Sequence, residues 1–240
     1  MSAIAPIVDV TARGLFGRRR ILLLVLLAAL PVLIGVLIRV TGGRPDPDRV
    51  LDTLVIRFVM PLVALIVGTT VLGSEIDDGT AVYLLVKPVP RWRIILAKAI
   101  VAAGLTAVLI VPAVILTSVL LSRDDLSTTL VAFTGSCLLG GSAYAIAFLA
   151  LSAFTSRAFL IGLAYVLIWE GVLAGLLEGT KFLSIRQATL GLTTALGVQP
   201  AGESTPLASN ISLLVLLVVI VGGFVLGSWR LARFEIRGGD

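Results

Sequence analysis

The sequence predicts an all-α integral membrane protein of six transmembrane helices with cytoplasmic N- and C-termini. Three observations predict it. Of the 240 residues, 58% are hydrophobic and 14% charged, whereas a soluble domain averages about 25% charged residues. Six apolar stretches reach the roughly 20 residues that a helix needs to cross a ~30 Å hydrocarbon core. The basic residues crowd at one side of those stretches. Helices satisfy their own backbone hydrogen bonds in lipid, and the alternating strands of an outer-membrane barrel are absent from the pattern.

Taken in order, residues 4–20 read as an amphipathic interfacial helix. Ile4, Ile7, Val8, Leu15 and Phe16 share one face, and Asp9, Arg13 and Arg18 another. Gly14 and Gly17 weaken it, and a flexible basic tail is the plainer alternative. The spans follow at 21–40, 54–73, 94–121, 130–153, 158–177 and 211–229, in a single transmembrane domain covering 1–240. Arg18–Arg20 precede a run of full spanning length with no small-residue cleavage site, which reads as a retained anchor. Thr41–Asp52 is a turn-rich external loop, Ser122–Thr129 a tight external hairpin and Phe154–Arg157 the matching cytoplasmic one. Residues 178–210 form the longest external connection, with Leu183, Ile185, Leu190, Leu192 and Leu196 at roughly helical spacing. A stretch so apolar is compatible with re-entry into the membrane and equally with packing on neighbouring spans. Pro31, Pro61 and Pro112 lie within spans and permit kinks. Gly135, Gly140, Gly141, Ser142 and Ala143 let helices approach the fourth span closely.

Orientation follows from charge. Arg13, Arg18, Arg19, Arg20, Lys87, Arg91, Arg93, Lys98, Arg157, Arg230, Arg233 and Arg237 flank the spans on one side, twelve against seven on the other. That excess puts the first side in the cytoplasm. The net charge of +5 is then topology and lipid contact, not a nucleic-acid footprint.

Composition also excludes chemistry. There is no histidine, which removes His-based metal centres, haem ligation and Ser-His hydrolysis. The single Cys137 allows no intrachain disulfide and reads as a packing residue. No Gly-x-x-x-x-Gly-Lys-Ser/Thr loop occurs, so this chain is not expected to bind or hydrolyse ATP by itself. No catalytic residues and no metal ligands are expected, and no cofactor is expected on this chain.

Two features stand out against the apolar background. Glu170 is the one acid within a span, about 20 Å along the helix from Arg157 at 1.5 Å per residue. A carboxylate at that depth is expensive and suggests a proton relay, a cation site or an interhelical lock. Pairing with Arg57, which lies just inside the second span, or with Arg39 is the bland alternative. The other feature is the connection 73–98. Glu75 follows the second span, Gly79-Thr80 offers a helix start, and Val82, Tyr83, Leu84, Leu85 and Val86 give a short apolar side. Pro88 and Pro90 end it, and Arg91, Arg93 and Lys98 mark re-entry. An ordinary amphipathic loop on the lipid surface is the plain alternative.

The series Glu75, Gly79-Thr80, Leu84-Leu85, Lys87-Pro88, Arg91, Lys98 resembles the ABC-2-type transporter permeases. The likeness extends to the basic interfacial "elbow" helix, the six spans and Trp169-Glu170-Gly171. It is strongest to the small, unfused permeases of the branch that includes the copper-related NosY proteins. What the resemblance implies is a coupling helix within 74–93, docked on a separate ATP-binding subunit. Glu75, Asp78, Gly79, Thr80, Tyr83, Leu84, Leu85, Pro88, Arg91 and Lys98 are then the expected coupling interface. Two permeases and two ATPases, the latter holding ATP and Mg, form the expected exporter in a bacterial or archaeal plasma membrane. The competing expectations are a stand-alone secondary transporter or channel using Glu170, and a membrane-anchored regulatory protein.

Overall fold

The computed structural model describes residues 18–43, 46–77, 90–121, 126–173, 182–199 and 207–233. Among them every regular element is helical. Helix α1 is Arg18–Val40; α2 is Pro47–Val50, continued by a π-helical stretch, π1 (Leu51–Val59), and by α3 (Met60–Asp77). Helices α4 (Arg91–Leu121) and α5 (Leu126–Phe154) follow, then α6 (Ala158–Ala164) with its π-helical continuation π2 (Tyr165–Leu173). The last two are α7 (Ile185–Ala195) and α8 (Ser209–Ala232).

Among the described residues five helices are long and apolar enough to cross a membrane: Arg20–Val40, Pro47–Gly73, Arg91–Leu121, Leu126–Phe154 and Ser209–Ala232. The predicted fifth span appears as the shorter apolar helix Ala158–Val172. The remainder of the predicted 158–177 lies outside the described residues, as does nearly all of the predicted interfacial helix 4–20. Arg18 to Arg20 of that segment already belong to α1.

Three boundaries differ from expectation. The loop predicted up to Asp52 turns helical at Pro47, because Asp46 caps that end by accepting from the Asp48 and Arg49 amides and Pro47 takes a position whose N–H would be orphaned anyway. The second span also runs on to Asp77, four residues beyond its expected end. The hairpin expected over Ser122–Thr129 is overtaken by α5 from Leu126. Pro61 stands just after π1, where the Met60 N–H reaches back five residues to the Val55 carbonyl. A proline lacks the N–H that an unbroken α-helix needs, so the change of winding falls where the backbone ladder is already interrupted.

Helix α5 is the centre of the bundle, packed by α3, α4, α7 and α8. Small residues make this possible. A Cβ added at Gly68 of α3 would stand 2.6 Å from the Ala145 carbonyl oxygen of α5, so the two backbones touch. Gly140 leaves the space that the Thr189 side chain of α7 fills. The core runs through Phe133, Tyr144, Leu149, Met60 and Leu65, all 0 to 1% exposed, with Cys137 buried beside them. Helix α1 instead shows Leu22, Leu23, Leu26, Leu33 and Leu37 at 59 to 65% exposure. Such a face is untenable in water and suits lipid or another apolar partner. Helix α7, in the long connection, packs against α5 and α8 with Ile185 and Leu190 buried.

Candidate functional site

The connection between α3 and α4 is described at its two flanks. Asp78, Gly79, Thr80, Tyr83, Leu84, Leu85 and Pro88 lie outside the described residues. Glu75 lies in the last turn of α3, its side chain likewise outside them. Arg91 and Lys98, at the start of α4, are placed. Lys98 is 0% exposed and its Nζ donates to the Val71 carbonyl of α3 at 2.6 Å. A buried ammonium is tolerated only when hydrogen bonded, so this bond joins the two helices that flank the connection. Arg91 Nη1 donates to the Leu231 carbonyl at 2.7 Å. That carbonyl lies in the last turn of α8, at the negative end of the helix dipole. The start of α4 is therefore tied to the ends of both neighbours.

The second site lies at the other end of the bundle. Glu170, on π2, is 2% exposed. Its Oε1 accepts from the Tyr165 hydroxyl at 2.9 Å and from the Ile185 backbone N–H at 2.9 Å, with the Arg186 N–H at 3.4 Å. Its Oε2 accepts from the Ser184 hydroxyl at 2.5 Å. Ser184 is the N-cap of α7, its Oγ accepting in turn from the Gln187 N–H at 3.1 Å. The carboxylate thus sits on the N-terminus of α7, where orphan N–H groups and the helix dipole favour negative charge. The expected pairing with Arg57 or Arg39 is not what is found: Arg39 instead donates to the Leu120 carbonyl at 2.6 Å, and Arg57 stands exposed on π1. Through these bonds Glu170 joins π2 to the N-terminus of α7.

Around this cap gathers a set of polar side chains. Arg186 is 2% exposed, Asp52 9% and Gln187 fully buried. Burial, and then the like charge of Arg57, push the Arg186 guanidinium below its ordinary value, with Glu170 chief among the groups acting the other way. Asp52 has Arg186 and Arg57 as charged neighbours. Both π-helical stretches contribute here, Asp52 and Arg57 from π1, Tyr165 and Glu170 from π2. Winding more loosely than an α-helix re-aims successive side chains, and such stretches recur where side chains are placed for a purpose.

Sequence reasoning overlooked Ser184, Arg186, Asp52 and Tyr165. One signal for the first was present: Ser184-Ile-Arg-Gln187 has the Ser-x-x-Gln spacing of a capping box. Among the described residues, no group of three or more His, Cys, Asp or Glu side chains could hold a metal ion.

A family model described as "ABC-2 family transporter protein" matches residues 16–170, well over half of the chain. No curated protein matches it closely enough to count as a relative.

Proposed function

From the premise that the chain belongs to the ABC-2 family of transporter proteins, we propose that it is the permease subunit of an ATP-driven exporter in a bacterial or archaeal plasma membrane. ATP and Mg are held by a separate ATPase subunit, and two permeases with two ATPases make the working unit. In this reading the subunit is a small, six-span, unfused permease of the kind its motif order resembles, with both termini cytoplasmic.

The segment 74–93 is then the contact with the ATPase. Tyr83, Leu84 and Leu85 form its apolar knob, Gly79-Thr80 its start and Pro88 its end, with Glu75 and Asp78 on the approach. The observation that carries this reading is the pair of ties at the flanks. Lys98 holds α4 to the Val71 carbonyl of α3, and Arg91 holds it to the Leu231 carbonyl of α8. A force on the connection therefore passes to three helices as a body, as a hinge or shear movement requires. Loosely held flanks would dissipate it.

The secondary-transporter reading draws less support. Both Glu170 oxygens are engaged in holding the N-terminus of α7, the geometry of a structural cap. The deciding experiment replaces Leu84 and Leu85 together by Asp and purifies the tagged protein in mild detergent. We expect an ATPase to accompany the wild type and to be lost, with transport, from the variant. Survival of both would end the coupling assignment.

A further inference from the structure

Between α5 and α8 runs an open groove of about 460 Å³. Ala147, Ala150 and Phe154 of α5 line one wall, and Val218, Gly222 and Leu226 of α8 the other. It is almost wholly apolar. Its lining along α8 runs from Val218 to Leu226, about 12 Å at 1.5 Å per residue, close to the ~15 Å depth of one leaflet's hydrocarbon. One helical turn past Leu226 stands Arg230. Its guanidinium lies 5.7 Å from the ring centroid of Phe154, the residue that closes the groove. Among the described residues its Nε is buried with no hydrogen-bond partner. At the same end Arg233 lies over Trp229 at 4.1 Å and Arg93 over Trp92 at 5.3 Å, with both tryptophans nearly half exposed. Aromatic rings paired with cations form the belt that sits at headgroup depth.

We propose that this groove is a binding site for an anionic glycerophospholipid, one acyl chain lying between α5 and α8 and the phosphate meeting Arg230. The apolar length fits a chain that enters from one leaflet, and the Arg230 guanidinium beside Phe154 sets a positive charge at the end of the groove, where an anionic headgroup would lie. A second copy of this protein fits less well. A two-fold axis along the membrane normal preserves depth, so a partner would bring its own arginines to the level of Arg230. The inference rests on the chain spanning a membrane and is independent of any ATPase partner.

The test uses the full chain in mild detergent, with melting followed by tryptophan fluorescence and retained phospholipid measured by mass spectrometry. Phosphatidylglycerol and phosphatidylcholine are then titrated back into delipidated protein. The wild type should retain phosphatidylglycerol, and that lipid should raise its melting temperature more than phosphatidylcholine does. Arg230→Gln should weaken phosphatidylglycerol about fivefold, the share of one surface cation, and remove the preference. Gly222→Leu should fill the groove, since a Cβ there meets nothing within 4 Å, and should abolish retention of both lipids. Should Gly222→Leu fail to fold, Arg230→Gln decides alone. An unchanged preference in Arg230→Gln, no preference in the wild type, or a Gly222→Leu variant that keeps its lipid but loses self-association would each overturn the assignment.

Discussion

Replacing Glu170 by alanine removes the acceptor for several donors at once, and the cost can be worked from their alternatives. The Tyr165 hydroxyl retains a second acceptor, the Leu183 carbonyl at 3.2 Å. The Ser184 hydroxyl and the Ile185 N–H lose their partner at a buried position. Each stranded donor costs about 1–3 kcal/mol, and losing a negative charge from a helix N-terminus adds about 0.5–1 kcal/mol. The sum is roughly 2.5–7 kcal/mol, which at about 2–4 °C per kcal/mol for a chain of this size lowers the melting temperature by at least about 5 °C. Glu170→Gln keeps the shape and one acceptor oxygen, so its penalty should be about 1–2 kcal/mol. The assay is tryptophan-fluorescence melting in detergent, with amide exchange of Ile185–Ala195 as the local readout. Helix α7 should lose protection first in the alanine variant. A Glu170→Ala protein that melts within about 2 °C of the wild type would refute the reasoning, as would Glu170→Gln transport that is lost while stability is kept.

Lys98→Met should cost about 1–3 kcal/mol by removing the donor that ties α4 to α3, and Lys98→Arg should fail to rescue it because a forked guanidinium needs room that a fully buried ammonium does not; melting and ATPase stimulation measure this. Gly68→Ala should destabilise by about 1–3 kcal/mol through overpacking, since its methyl would meet the Ala145 carbonyl, whereas Gly104→Ala, where a Cβ meets nothing within 4 Å, should stabilise slightly by about 0.5–1 kcal/mol. Arg91→Gln should leave expression intact and reduce ATPase-coupled transport, checked by reconstituted activity against co-purification.

Much of the fold was legible because lipid reduces the choices. Long runs of Leu, Val, Ile and Ala can only be helices there, so the spans stood out and their helical ends differed by a few residues. Those ends were misjudged where polar residues continue the helix, at Pro47 to Asp52 and past Gly73, since hydropathy marks the membrane and not the helix. The change of winding at Leu51–Val59 and Tyr165–Leu173 has no periodic signature, because an apolar run looks the same at either pitch. Glu170 was visible as an anomaly, but its partner was not. Its donors come from a helix N-terminus fifteen residues later, and a backbone N–H leaves no trace in a sequence. The arginines drew attention instead, although the carboxylate had nearer donors.

The ties made by Lys98 and Arg91 have a genetic consequence. Both end on main-chain oxygens, at Val71 and Leu231, and every amino acid supplies that oxygen. Neither of these two bonds can therefore be restored by changing the side chain at 71 or 231, as a charge swap restores an ion pair. Suppressors of Lys98 or Arg91 variants should therefore not map to positions 71 and 231, which should drift freely among apolar residues.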